Sequence, residues 1–423
     1  MGFHASAGDM HLRSGCRAQP RKCCVQAMPE AARILVLSYE FPPLGGGGAK
    51  VVHGLVAELA RMGHEIDLVT TRFRRAPLRE RVGSASVYRV ASLRLRGDRS
   101  NAFELACYLA WASSLLARLM RHRRFDLCHA HFAFPDGVLA CVLHRVTGLP
   151  YIITVHGSDV PGYNPDRFTV LHRILRPIWR KVVVEAECVV CPSKTLSSLV
   201  RANEGRARTV VVPNGFDPGR LEPGRPKYKV VLAVSRLFER KGLQYLIEAF
   251  SDLDTDYELQ IVGDGPYRAA LEARAAARGS EIRFCGWLDN QSPELADRFE
   301  RASIFVLPSE AENFPVSLLE AMAAGSAIIT TSGTGCADVV GDTALLTPPR
   351  DVAALRAALQ RLVEDDELRR DLGARARARV VENFTWDAVA RRYAEIYREC
   401  AGRALYPAKA KAAEGCSVFL DRQ

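Results

Sequence analysis

Nowhere in the 423 residues do lysine and arginine form a run long enough for a nucleic-acid tail; the densest cluster is Arg121, Arg123 and Arg124. The formal charge of +10 suits nucleotides, acidic lipid or nucleic acid. Without a basic tail, nucleic acid is not an expected partner. Paired cysteines at zinc-site spacing are also lacking. Of the 12 cysteines, Cys188 and Cys191 have two residues between them, but no second pair matches them, and Glu187-Cys-Val-Val-Cys-Pro192 reads as a buried strand. Reduced core thiols in a cytoplasmic protein are the expectation. The first 30 residues have no apolar segment of the kind a signal peptide needs, so residues 1–30 read as a disordered extension, with Met28 an alternative start. Long apolar runs are scarce. The longest, 102–120, has Glu104 and Arg118 inside it and is barely long enough for a bilayer; it predicts a buried or interfacial helix rather than a membrane span.

What is present is an alternation of strands and helices over a length that implies two cores. Arg33–Glu40 is a β-branched and aliphatic strand, followed by Gly45-Gly-Gly-Gly48, a helix with apolar residues at Val51, Val52, Leu55, Val56 and Leu59, and a strand at Glu65–Thr71. Strands at 126–130, 151–155, 188–191 and 210–212 and helices at 137–145 and 173–186 continue the pattern to Asp217. Residues 218–226 (PGRLEPGRP) have the composition of a linker. The alternation then restarts, with strands at 229–234, 258–262, 282–284, 304–306, 327–330 and 344–346. The fold class is α/β, with two doubly wound parallel sheets whose ligands bind beyond the carboxyl ends of the strands and in the cleft between them.

The chemistry-bearing residues of the second half each follow a strand. Ser235-Arg236-x4-Lys241-Gly242 offers a guanidinium fork and a point charge suited to a diphosphate. Gly263-Asp-Gly265-Pro266 is a tight turn into a helix. In Glu312-Asn313-Phe314-Pro315-Val316, Pro315 marks the start of a helix whose free N–H groups and positive end suit phosphate, and Glu320 lies in its second turn. Carboxylates accept hydrogen bonds from vicinal hydroxyls, so Glu312 and Glu320 can address a sugar and a ribose. Taken singly, each of these features is equally a solvated surface or an ordinary turn; their order along one half is what makes them a site.

That ordered set resembles the retaining glycosyltransferases of the GT-B fold in the large family 4 group, over about residues 33–400. The resemblance implies two Rossmann-like domains facing a central cleft. The first, acceptor-side, spans 31–217 and the second, nucleotide-sugar-binding, spans 227–385. A helix over 386–405, with Phe384-Thr-Trp386, Val389, Tyr393 and Tyr397, crosses back to the first domain, and 406–423 form a tail. It implies that Glu312 and Glu320 are the family's paired glutamates, and that Arg236, Lys241, Gly263, Gly265, Asn313, Phe314, Pro315 and Val316 contact the donor. Base contacts are expected from the turn at Gly286-Trp287-Leu288. Gly45 and Gly46 resemble the family's opening glycine loop, and His156 the histidine that touches the donor sugar. Asp159 and His131 are expected on the acceptor side. A dinucleotide fingerprint is rejected: no glycine stands three residues beyond Gly46-x-Gly48, and the second strand ends in Thr70-Thr71 rather than an acid. His129 and His131 share a strand face with Asp136 nearby, yet acceptor-pocket or structural roles are favoured over metal binding. Asp252-Leu-Asp254 falls in a polar turn before a strand and is read as chance.

The expected activity is transfer from a UDP- or GDP-sugar, without a metal or other cofactor, to a glycan or lipid-linked acceptor in cell-surface polysaccharide or glycolipid synthesis. The aromatic and basic residues of 102–124 suit peripheral contact with an anionic membrane at its inner face. Rival readings are a nucleotide-sugar epimerase of the same fold and a non-catalytic membrane-associated assembly protein; a phosphorylase would need a cofactor lysine that no segment suggests. Oligomeric state is left open by the motifs.

Overall fold

The computed structural model describes residues 1, 31–44, 46–92, 94, 101–163, 169–222, 224–279, 282–289 and 292–404. The expected extension before residue 31, the tail after residue 404 and Gly45 lie outside these residues. In the first half the chain runs β1 (Arg33–Leu37), α1 (Gly47–Arg61), β2 (Glu65–Thr71), β3 (Arg79–Val82), β4 (Ala85–Val90), α2 (Ala102–His122), β5 (Leu127–His131), α3 (Asp136–Thr147), β6 (Tyr151–Thr154), α4 (Thr169–Glu185), β7 (Cys188–Cys191), α5 (Lys194–Asn203) and β8 (Thr209–Val211). The second half runs β9 (Tyr228–Val234), α6 (Leu243–Ser251), β10 (Glu258–Val262), α7 (Arg268–Ala277), β11 (Ile282–Gly286), α8 (Pro293–Arg301), β12 (Ala302–Leu307), α9 (Val316–Ala323), β13 (Ala327–Thr331), α10 (Gly335–Val340), β14 (Leu345–Thr347), α11 (Val352–Glu364), α12 (Asp366–Asn383) and α13 (Trp386–Ala404).

The strands form two sheets, in the orders β3-β4-β2-β1-β5-β6-β7-β8 and β11-β10-β9-β12-β13-β14. Neighbours are parallel except the β3–β4 hairpin. Parallel sheets covered on both faces need strands apolar on both sides, and β1, β6, β7, β12 and β13 are almost wholly buried. In the first half, α1 and α13 cover one face, and α2 to α5 cover the other. In the second half, α8, α9, α10 and the end of α12 lie on one face, with α6, α7 and α11 opposite.

Three features depart from or refine the sequence reading. The β3–β4 hairpin has no strand signal in Arg79–Val82, whose burial alternates between exposed and partial. The segment 218–226 is not a free linker: it opens in a 3-10 turn at Pro218–Arg220 and is pinned to the second half. There Leu221 is buried, the Glu222 N–H donates to Glu300, and Arg225 bridges Asp297 and Glu300 at 2.9 and 2.8 Å. Asp252, in the turn read as chance, is ion-paired with Arg278 and Arg356.

The apolar stretch 102–120 is α2, started by a capping box between Asn101 and Glu104. Residues Phe103–His122 are long and apolar enough to cross a membrane by length and composition. The helix lays Tyr108, Ala112, Leu116 and Leu119 on the first sheet, while Phe103 and Trp111 stay 66 and 57% exposed. Of the eight described cysteines, six are buried.

Candidate functional site

The donor-side loops are held backbone to backbone, and glycines allow it. Gly263 has φ +136°, and a Cβ there would sit 1.8 Å from the Ser235 carbonyl oxygen. At Gly265 a Cβ would sit 2.4 Å from that of Leu237. The loops after β9 and β10 are thus fused, with Ser235 N–H donating to Val262 and Leu237 N–H to Asp264 at 3.1 and 2.9 Å. Gly242, at φ +71°, makes the same close approach to Pro308, joining the loop after β12. Glu310 N–H then donates to the Arg240 carbonyl, and Gly335 N–H to that of Glu312, each at 2.9 Å.

This frame brings Lys241 and Glu312 together. The Lys241 ammonium donates to Glu312 Oε1, which also accepts from Ser309 Oγ at 3.1 Å. The two side chains are only 15 and 13% exposed. Arg236, on the same loop as Lys241, is solvent-facing with its guanidinium 4.9 Å from the Phe238 ring centroid. Pro315 caps α9, Val316 opens it partly exposed, and Phe314 is buried against Phe384 at 5.5 Å. Glu320 is buried on α9, and burial pushes its carboxyl up to about 7 against the opposing pull of Arg220 and Lys50. Arg220 Nη1 stands 3.8 Å from it. Trp287 is exposed, and Leu288 is half-buried against the second-sheet core.

Across the cleft, the β5 sequence Leu-Cys-His-Ala-His places both histidines inside. His129 is fully used by the fold: Nδ1 pairs with Tyr397 OH at 2.7 Å and Nε2 with Thr154 Oγ1 at 2.8 Å. His131 Nδ1 pairs with His156 Nε2 at 3.2 Å. His156 packs tilted against the Phe132 ring at 4.4 Å, and burial lowers its pKa to about 4. Asp159 ties the loop together, accepting from the N–H groups of Ala133, His156 and Gly157 at 2.8–3.0 Å. Asp136 accepts from Tyr108 OH at 2.6 Å and Tyr39 N–H at 2.9 Å, and burial raises its pKa to about 8. These bonds give His129, Asp159 and Asp136 structural work.

The halves touch at this place. Asn313 Oδ1 accepts from Ser193 Oγ at 2.8 Å, and its amide donates to the His156 carbonyl at 3.4 Å. Thr195 N–H donates to Asp338 at 3.1 Å. The structure therefore gathers Lys241, Glu312, Asn313 and His156 at one junction and keeps Glu320 nearby on α9. Around Gly46 a Cβ would meet nothing within 4 Å. Sequence reasoning missed Arg220, Lys50 and Ser193. Arg220 was hidden by the linker-like composition around it, and Ser193 gives only the signal of a helix cap, which it also is at 3.1 Å to Leu196 N–H.

Two family models cover most of the chain: Glycosyltransferase Family 4 over residues 45–220 and Glycosyl transferases group 1 over residues 221–379. The N-acetyl-alpha-D-glucosaminyl L-malate synthase of Bacillus anthracis is 27% identical over 374 residues, 84% of this chain and 94% of that protein. The D-rhamnosyltransferase WbpZ of Pseudomonas aeruginosa is 30% identical over 281 residues, 62% and 70% of the two chains. Among solved structures, sucrose-phosphate synthase from Thermosynechococcus elongatus superposes with a TM-score of 0.73 at 23% identity, covering 87% of this chain and 98% of that one. Anabaena HepE in complex with UDP-glucose gives 0.66 at 18% identity, covering 87% and 100%. With the two-sheet architecture and the family matches in agreement, the chain belongs to the group 1 glycosyl transferases and is a GT-B-fold glycosyltransferase.

Proposed function

We propose that this enzyme transfers a sugar from a UDP- or GDP-sugar to a hydroxyl of a glycan or lipid-linked saccharide, with retention of anomeric configuration and without a metal. The observation that carries the reading is the Lys241–Glu312 pair at the entrance to α9. An ammonium has three N–H donors, so Lys241 can hold Glu312 and still meet a phosphate oxygen. Arg236 and the free N–H groups of α9 supply further donors to the leaving diphosphate as negative charge develops on it. Each charge-assisted bond contributes about 1.5–3 kcal/mol. Glu312 orients the sugar, and Glu320 is placed for the ribose hydroxyls. The bond from the anomeric carbon to the diphosphate oxygen breaks, the acceptor oxygen bonds to that carbon on the same face, and the acceptor proton passes to the departing phosphate oxygen.

The name of one structural neighbour includes UDP-glucose, which favours a uridine donor for the first trials. Peripheral binding at the cytoplasmic face of a membrane fits α2, whose exposed Phe103 and Trp111 lead toward Arg118 and Arg121 at the far end, with Arg124 just beyond it. The decisive experiment is a donor-hydrolysis screen across nucleotide sugars, then acceptor screening with the best donor and assignment of the product anomer. An inverted product overturns the retaining mechanism; epimerised donor without acceptor overturns transfer.

A further inference from the structure

We infer that His131 is a positioning residue that fixes the hydrogen of His156 on Nδ1, making the cleft histidine a hydrogen-bond donor and not a proton acceptor. This rests on the reading that His156 faces the bound nucleotide sugar. His131 is fully buried, and its Nδ1 meets His156 Nε2 at 3.2 Å. Its other nitrogen, Nε2, is buried and has no hydrogen-bond partner among the described residues. Two neutral imidazoles sharing one hydrogen bond have two arrangements. If His156 Nε2–H donates, His131 must carry its own hydrogen on Nε2, where it is a buried N–H with no acceptor. If His131 Nδ1–H donates, the orphaned atom is a lone pair. Orphaned N–H groups are the rarer of the two in protein interiors, and an unmet buried donor forfeits its full solvation. The second arrangement therefore holds, and His156 is left with its hydrogen on Nδ1.

The surroundings of His156 Nδ1 suit a donor to a ligand. A Cβ on Gly48 would lie 3.6 Å from that atom and 2.9 Å from the Phe132 ring, so the glycine keeps the space before it clear. Gly48 belongs to the first turn of α1, whose Lys50 acts electrostatically on Glu320 across the cleft. The His156 carbonyl is meanwhile held by Asn313, next to Glu312. Burial keeps both rings neutral at neutral pH, so the hydrogen on Nδ1 is a fixed feature and not one of two titrating protons. His131 itself packs against His129 in a tilted arrangement at 4.2 Å between ring centroids, and His129 is locked by Tyr397 of α13.

The test is a long-range proton–nitrogen correlation spectrum of the full chain labelled with 15N-histidine, with His156 identified by its loss in His156→Asn. The expected wild-type pattern has His156 Nδ1 protonated and Nε2 bare. His131→Asn, whose amide can donate from the position of Nδ1, is expected to keep that pattern and most of kcat. His131→Asp, read at a pH where its carboxyl is ionised, can only accept; it is expected to move the hydrogen to Nε2 and lower kcat about tenfold, the value of one neutral hydrogen bond. A wild-type His156 protonated on Nε2 overturns the inference, and that spectrum needs no variant to fold. Identical tautomers and rates in the Asn and Asp variants overturn it as well. If no nucleotide sugar supports transfer, the transfer reading falls while the spectrum still decides the tautomer; an active enzyme with Nε2–H overturns this inference alone.

Discussion

Lys241 and Glu312 lie 71 residues apart in the chain yet share a hydrogen bond, because three loops are welded by Gly242, Gly263 and Gly265. Neither side chain is part of an apolar cluster, so truncation removes chemistry first, but each is largely buried and its loss leaves the partner's charge unpaired. Lys241→Ala and Glu312→Ala are each expected to lower kcat on the order of 100-fold or more, with the fold retained and the melting temperature lowered by the unpaired partner. Near-normal turnover by either variant would remove them from the site. Glu320 behaves differently because it is buried. Its folded pKa of about 7 stands above the ordinary 4.5, so the folded state holds the proton more tightly than the unfolded chain. That contribution is complete below about pH 4.5 and is lost as pH rises toward 7. Glu320→Gln keeps the shape without the charge. It is expected to match the wild type at pH 4.5 and to be more stable at pH 8 by about 2 kcal/mol, read by thermal melts. A wild-type advantage at pH 8 would show that Arg220 outweighs burial. The placement of Arg236, Lys241 and Glu312 in loops was legible because each follows an apolar run ending in a turn. Arg220 was not, since nothing local distinguishes an arginine in a proline- and glycine-rich segment that docks from one that does not.

Among the elements, β2 appears with the bounds its apolar run predicts, and α13 occupies the place assigned to a crossing helix. The β3–β4 hairpin was illegible in Arg79–Val82, a charged edge strand whose pairing with β4 supplies the order that its own side chains do not. Helix α13 is fastened by Trp386, which fills the space left by Gly54 of α1 and by Gly215. A Cβ at those positions would come within 2.3 and 2.0 Å of its ring. Gly54→Ala is therefore expected to destabilise the fold by about 1–3 kcal/mol despite the better helix propensity of alanine. Chemical denaturation checks this; a stabilised variant would mean that Trp386 can swing aside at no cost.

The whole molecule presents one chemically distinct flank. Helices α2, α3 and α4 cover the same face of the first sheet, and their outer sides leave Phe103, Trp111, Val142, Val146, Ile174 and Ile178 exposed. Arginines at the end of α2 accompany them. Flotation with liposomes is expected to carry the protein when acidic lipid is present, and Phe103→Ser with Trp111→Ser to release it without loss of soluble donor hydrolysis. Equal flotation on neutral vesicles would remove the electrostatic part of the proposal, and no flotation the whole of it.

The crossing of α13 also bears on how the chain is made. Val389, Ala390, Tyr393, Tyr397 and Cys400 complete the core formed by Ile34, Val36, Val52 and Leu55. A ribosome delivers the first of these groups more than 300 residues before the last. During that interval the emerging first half keeps a partly uncovered apolar sheet face and an unpaired His129 Nδ1, so its final folding waits until α13 has emerged. A stalled nascent chain ending before Trp386 should therefore bind chaperones more strongly than one that extends past α13.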